Sequence, residues 1–189
     1  MFVQGHTSPS KGKTITTDPI KSSADLAKVK AVTQKSPRDH ALLMLMIHTA
    51  LRAGDICRLT WDDIYDTEVR LIERKTGKRK VVPLNEPTME ALRVWRGRCE
   101  HEQIASGQRG ALTTATLGRL VKGWCEEAGL VGRFSSHSTR KGFVRIHVDE
   151  VGTSMAALMT IGNWSSERMV LHYCGKLDDS VRVAYSVAL

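Results

Sequence analysis

Along most of the 189 residues, apolar positions recur with the spacing of helices, and in one region with that of strands. The first run, SADLAKVKAVTQK (23–35), predicts a helix with Ser23 as its N-cap. Ser36-Pro37 breaks the pattern, and Asp39 is placed to start the next helix. ALLMLMIHTAL (41–51) is apolar nearly all round, which predicts a central helix covered on every side. A turn is expected at Arg52-Ala53-Gly54. DICRLTWDDI (55–64) then resumes with Ile56, Leu59 and Trp61 facing the core.

The strand signal lies in VRLIER (69–74) and RKVVPL (79–84). Lys75-Thr76-Gly77-Lys78 joins them as a hairpin with glycine in the turn. TMEALRVWRGRCEHE (88–102) is amphipathic, with Met89, Leu92 and Trp95 on one stripe. A polar loop at 106–110 leads to TTATLGRLVKGWCEEAGL (113–130), a helix stopped near Gly129. SHSTRKG (136–142) opens a further helix. A Gly-Asn-Trp turn and a short helical segment then reach Tyr173, and DDSVRVAYSVAL (178–189) is a last amphipathic segment. Residues 1–22 are mainly Ser, Thr, Lys, Gly and Pro with little to bury, and read as a flexible tail or linker remnant. The fold class expected is α+β, mainly α: one helical domain over 23–189 with a small antiparallel hairpin.

Composition changes this picture in two respects. A formal net charge of +8 points to a polyanionic partner, with nucleic acid as the first candidate. The four cysteines, Cys57, Cys99, Cys125 and Cys174, are far apart and form no Cys/His cluster. That argues against a zinc site and for unpaired thiols in a reducing compartment. No secretory signal and no apolar run of membrane-spanning length is visible, so a cytoplasmic protein is expected.

The candidate chemistry starts with His137 and Arg140. At i and i+3 they share a helix face near an N-terminus, where free backbone N–H groups favour an anion. Taken singly, each candidate has a plainer explanation. Arg52 suits a helix C-terminus, Lys75 a hairpin tip, His137 a helix cap and Tyr173 the core. Their order along the chain is more specific. TALRAGDICRLTWDDI, a KTGK hairpin ending in VPL, HSTRKG, IGNW and LHY follow one another, and the series resembles the catalytic domain of the tyrosine recombinases, the phage integrase family. The resemblance covers roughly residues 38–175.

The resemblance implies a set of roles. Arg52 and Arg140 are the two phosphate-binding arginines, Asp55 supports the site, and Lys75 is the hairpin lysine. His137 opens the HxxR motif, Trp164 takes the position before the nucleophile, and Tyr173 is the nucleophile. The chain departs from the commoner pattern in having Gly-Asn-Trp where many members have Gly-His, and Lys141 where many have histidine. Full-length members of the family usually carry an N-terminal DNA-clamping domain; no counterpart is expected within these 189 residues, as in an excised catalytic domain or a naturally minimal recombinase. Lys78, Arg79, Lys80, Lys141 and Arg145, with Arg119, Lys122 and Arg133, are candidates for DNA-backbone contacts.

The implied reaction is site-specific DNA cleavage and rejoining through a 3′-phosphotyrosine, without metal, ATP or other cofactor. The partners are double-stranded DNA and further copies of the chain in a tetrameric synapse, and 178–189 either packs on its own domain or docks onto a neighbouring copy. A type IB topoisomerase, a telomere resolvase or an inactive DNA-binding relative would share much of this pattern.

Overall fold

The computed structural model describes residues 17–175. α1 (Ser23–Thr33) and α2 (Pro37–Thr49) are each started by a serine hydroxyl. Ser22, one residue earlier than expected, accepts from the Asp25 amide. Ser36 caps α2 and Pro37 opens it, so Asp39 lies within the first turn. Pro37 is tolerated because the first helical N–H has no intrahelical partner. α2 is covered on every side, with Ala41–Met46 all buried. It packs against α1, against α4 (Glu86–Arg96) and against α6 (Ser136–Ile146).

The chain leaves α2 at Ala50, in the left-handed conformation (φ 50), rather than at Arg52–Gly54. Arg52 is thus the N-cap residue of a one-turn helix, α3 (Ala53–Ile56), and not a C-terminal cation. Ile56 and Leu59 are buried as expected, and Trp61 is half-buried with its indole N–H on the His101 carbonyl.

The hairpin strands are β2 (Glu68–Ile72) and β3 (Arg79–Pro83), in antiparallel register with Val69 opposite Val82. A short β1 (Ile64–Tyr65) adds a third strand on the β2 side. A second two-stranded sheet, β4 (Ser106–Gly107) with β5 (Gly110–Ala111), forms in the loop expected at 106–110. α5 (Thr114–Glu127) ends before Gly129, which takes φ +73. After α6 one π-helical turn, His147–Val151, leads to α7 (Met155–Gly162) and α8 (Glu167–Cys174).

Two apolar clusters result. The larger joins α1, most of α2, α4, α5 and the inner face of the sheet. The smaller joins Ile47, Ala50, Phe143, Val144, Leu158, Trp164, Val170 and Cys174. α2 and α6 span the seam between them, and the site lies there.

Residues 17–22, expected to belong to a tail, are instead docked. Ile20 is buried, its amide bonds the Ser138 carbonyl at 3.3 Å, and Asp18 Oδ2 accepts from the Arg133 amide at 2.7 Å. A Cβ on Gly142 would lie 3.0 Å from Ile20, so a glycine in α6 makes room for this strap. The tail expected over 1–16 and the segment 178–189 lie outside the described residues.

Candidate active site

An open cleft of about 840 Å³ runs between α3, the hairpin tip, α5 and the N-terminus of α6. Arg52, Asp55, Lys75 and His137, distant in the sequence, all line it. So do Arg74, Arg119 and Lys122, which makes its wall strongly cationic. Lys75 is exposed at the hairpin tip. Asp55, 2% exposed, supports it indirectly: Oδ1 accepts the Arg74 amide at 2.9 Å and so holds the root of the hairpin against α3. His137 sits in the first turn of α6, whose Ser135 cap takes its amide at 3.2 Å. Burial, then the charges of Arg140, Lys141 and Arg52, push the His137 pKa below the usual histidine range. Its imidazole is therefore neutral at pH 7.

Arg140 does not share the cleft face with His137. It is 1% exposed and turned into the protein, where Nη1 donates to Ala50 O at 2.6 Å and Nη2 to Gly162 O at 2.7 Å. Its guanidinium carbon lies 4.8 Å from the Trp164 ring and 5.4 Å from the Tyr173 ring. The two rings are 4.9 Å apart. Burial lowers the Arg140 pKa, partly offset by the nearby Tyr173 phenol, and Arg52 lowers it further. Arg52, Arg140 and Tyr173 thus feel one another although only Arg52 faces the cleft. Tyr173 is half-buried and borders a small hollow with Ser166, Arg168, Met169 and His172.

Glu73 was missed by the sequence reading. It is 1% exposed and forms an ion pair with Arg52 at 3.0 Å. The signal was present in the alternation of β2: Val69 is buried, Leu71 half-buried, and the next inward position holds a carboxylate.

The candidate DNA contacts divide. Lys78 and Arg79 are exposed beside the hairpin turn. Lys80, by contrast, points inward, with Nζ 2.5 Å from Ile161 O and 3.7 Å from Glu73 Oε1. Lys141 is spent on the Thr17 carbonyl at 2.6 Å, and Arg145 on the Cys174 carbonyl and Asp149. These three hold the fold together rather than standing free on a surface. Among the described residues there is no group of three or more His, Cys, Asp or Glu side chains that could hold a metal ion, and no helix is long and apolar enough to cross a membrane.

A mainly helical domain with a small antiparallel sheet and this arrangement of cations has the fold of the integrase catalytic domains. XerA recombinase superposes with a TM-score of 0.74 at 18% identity, over 87% of this chain and 62% of that one. A lambda integrase dimer bound to a COC′ core site gives 0.69 at 20% identity, over 87% and 50%. The family model of the phage integrase family matches residues 13–179, and the chain belongs to that family. It is 28% identical to the probable integrase/recombinase YoeC of Bacillus subtilis, over 89% of this chain and 95% of that protein. It is 30% identical to tyrosine recombinase XerD of Mycobacterium tuberculosis, of which it spans 43%.

Proposed function

We propose that this chain is a site-specific DNA recombinase that cleaves and rejoins strands through a 3′-phosphotyrosine. The observation that carries the reading is the contact of Arg140 with both Trp164 and Tyr173, directly behind a cleft lined by Arg52, Lys75 and His137. An unperturbed phenol, with a pKa of about 10, is a weak nucleophile, and a phosphodiester is an anion. Fixed guanidinium groups address both difficulties, and they act most strongly as charge builds up in the transition state.

In this reading Tyr173 Oη attacks the phosphorus, the bond to the 5′-oxygen breaks, and the phosphate passes to the tyrosine. Arg52 holds a non-bridging oxygen from the cleft side, and Arg140, buried behind the Tyr173 ring, reaches the other when that ring swings out to the phosphorus. Lys75 protonates the leaving 5′-oxygen. His137, kept neutral, is a cleft-wall group able to accept the tyrosine proton. Trp164 contributes its indole N–H, a donor only. Attack by the freed 5′-hydroxyl reverses every step, so rejoining consumes no ATP. The substrate is double-stranded DNA in a reducing cytoplasm. The chain self-associates on it, as lambda integrase is dimeric on its core site.

Incubation with nicked suicide duplexes, followed by a denaturing gel, tests the assignment. A covalent protein–DNA band is expected, absent in Tyr173→Phe although that variant still binds the duplex. Persistence of the band in Tyr173→Phe would move the nucleophile to Tyr65 or Tyr185.

A further inference from the structure

The proposed reaction uses Arg52, Arg140, Lys75, His137 and Tyr173, yet the carboxylate among these groups has no part in it. Glu73 Oε1 accepts from Arg52 Nη1 at 3.0 Å and lies 3.7 Å from Lys80 Nζ. Oε2 accepts from Thr76 Oγ1 at 2.8 Å and from Asn163 Nδ2 at 3.0 Å. These partners, three hydrogen-bond donors and the Lys80 ammonium, come from four places: the start of α3, the hairpin turn, β3, and the junction of α7 with α8. Asn163 occupies that junction in the left-handed conformation, φ 52 and ψ 47, which glycine adopts freely and asparagine better than most residues. Its amide goes to Glu73.

Burial alone would raise the pKa of Glu73. The hydrogen bonds from Asn163 and Thr76, with the charges of Lys80 and Arg52, outweigh it and hold the carboxyl below its ordinary value. The carboxylate is therefore ionised at neutral pH, in a place where Arg52, Lys80 and Arg140 would otherwise repel one another.

We propose that Glu73, given the recombinase reading above, is a positioning residue: it fixes the Arg52 guanidinium and ties the hairpin bearing Lys75 to the α7–α8 junction that leads through Trp164 to Tyr173. Only one of the five N–H groups of Arg52 is spent on Glu73, which leaves the rest of the fork for an anion in the cleft that Arg52 lines. Thr76 and the Arg74 amide anchor the hairpin from both sides of Lys75, to Glu73 and Asp55 respectively. A lysine on an otherwise exposed tip is thereby held to the same frame as the nucleophile's segment.

Glu73→Gln and Asn163→Gly in the full-length chain test this. Glutamine keeps the shape and can still accept from Arg52 while placing its NH₂ toward Thr76 and Asn163, both able to present an oxygen. Glycine suits the left-handed junction and removes only the amide. The duplex is selected from a randomised pool of nicked duplexes by capture of the wild-type covalent adduct. Expected is a fall of about tenfold or more in the single-turnover rate of adduct formation for Glu73→Gln, with the duplex Kd within about threefold. Asn163→Gly also slows the step, and the double variant is no slower than Glu73→Gln alone, because one residue acts through the other. Without DNA, the hairpin amides from Glu73 to Lys78 exchange hydrogen faster in both variants.

A wild-type rate in Glu73→Gln, rate losses that multiply in the double variant, or unchanged hairpin exchange would each overturn the tie. A wild-type chain that captures no duplex overturns the recombinase reading instead, and hydrogen exchange then decides the tie by itself. If Glu73→Gln fails to fold, Asn163→Gly carries the same readouts.

Discussion

The rings of Trp164 and Tyr173 lie 4.9 Å apart, and the Arg140 guanidinium lies over both. Trp164 is 5% exposed and belongs to the smaller apolar cluster, so it is at once core and site wall. Its two roles separate by substitution. Trp164→Ala should cost about 3–5 kcal/mol of stability, the range for removing a large buried aromatic side chain. Trp164→Phe should cost less, because a ring still meets Arg140 and Tyr173. It removes the indole N–H, however, and with it the proposed phosphate contact. Urea denaturation measures the first effect and the rate of adduct formation on nicked duplex the second. A full rate in Trp164→Phe would confine Trp164 to packing.

Gly162 fixes where that indole can lie. A Cβ at this position would come within 2.0 Å of Trp164 Cε3 and Cζ3. The indole is buried and cannot swing into solvent, so Gly162→Ala must displace either Trp164 or the end of α7. The Gly162 carbonyl also holds Arg140, so the displacement reaches the guanidinium. Overpacking of this kind costs about 1–3 kcal/mol or more. The near-ultraviolet circular dichroism of the tryptophans should change along with the melting temperature. An unaltered spectrum and melting temperature would show that the contact is easily relieved.

Arg140 is tied to Ala50 O and Gly162 O as well as to the two rings, so its replacement affects fold and chemistry together. Lysine can satisfy one carbonyl but lacks the planar fork. Arg140→Lys should lose about 1–3 kcal/mol of stability, the usual cost of an unpaired buried polar group. Because the fork is proposed to act on transition-state charge, the rate of strand cleavage should fall about 10²–10³-fold. DNA affinity should change only a few-fold. Equal losses in rate and affinity would reduce Arg140 to a ground-state phosphate contact.

The helices were legible because their apolar stripes are long and their caps sit in sequence. α2, apolar on all faces, could hardly be anything but central, and it is. The hairpin was legible from alternation and the glycine turn. β1, two residues long, and the β4–β5 pair carry too little pattern to be seen. The docking of 17–22 was hidden because its anchor is a single apolar residue, Ile20, in a polar stretch. For the site, the order of motifs pointed to the residues that gather here, but residue type did not give the direction of side chains. Lys80 and Arg145 look like surface cations in sequence. Their inward turn depends on carbonyls of distant helix ends, Ile161 and Cys174. Arg140 shares helical spacing with His137 but ends on the other side of the seam for the same kind of reason.

Acidification should weaken the fold and slow the reaction. His40 and His147 both have pKa values pushed down by burial, helped by Lys30 for the first and His48 for the second. In the unfolded chain a histidine titrates near 6.5. Between the folded and unfolded values the unfolded chain binds more protons, so stability rises with pH through that window and is flat above it. The melting temperature should therefore fall as pH drops below about 6.5, and His147→Gln should flatten the dependence. His137, lowered chiefly by burial and then by Arg140, should impose a fall in cleavage rate in acid, absent in a His137→Gln chain that is uniformly slow. A melting temperature constant between pH 7 and 5 would contradict the half-buried neutral histidines.

The cleft itself makes the last prediction. Arg119 and Lys122 project from α5 into the space that Arg52 and Lys75 line from the opposite wall. Arg119 is held lightly, by the Thr116 hydroxyl at 3.2 Å, and Lys122 pairs with Glu126 at 3.6 Å on an exposed surface. Neither contact is strong enough to compete with a phosphate. If these side chains neutralise DNA phosphates, each should release counterions on binding, with a slope of about 0.9 in log Kd against log salt per contact. Arg119→Ala should weaken duplex binding and lower the slope by about one, with little dependence on the DNA sequence. Lys80→Met should leave the slope unchanged, because that ammonium faces Ile161 O and Glu73 rather than solvent. Titration by fluorescence anisotropy across a range of salt concentrations reads both. A slope lost in Lys80→Met and kept in Arg119→Ala would place the DNA on the hairpin side of the domain instead of in the cleft.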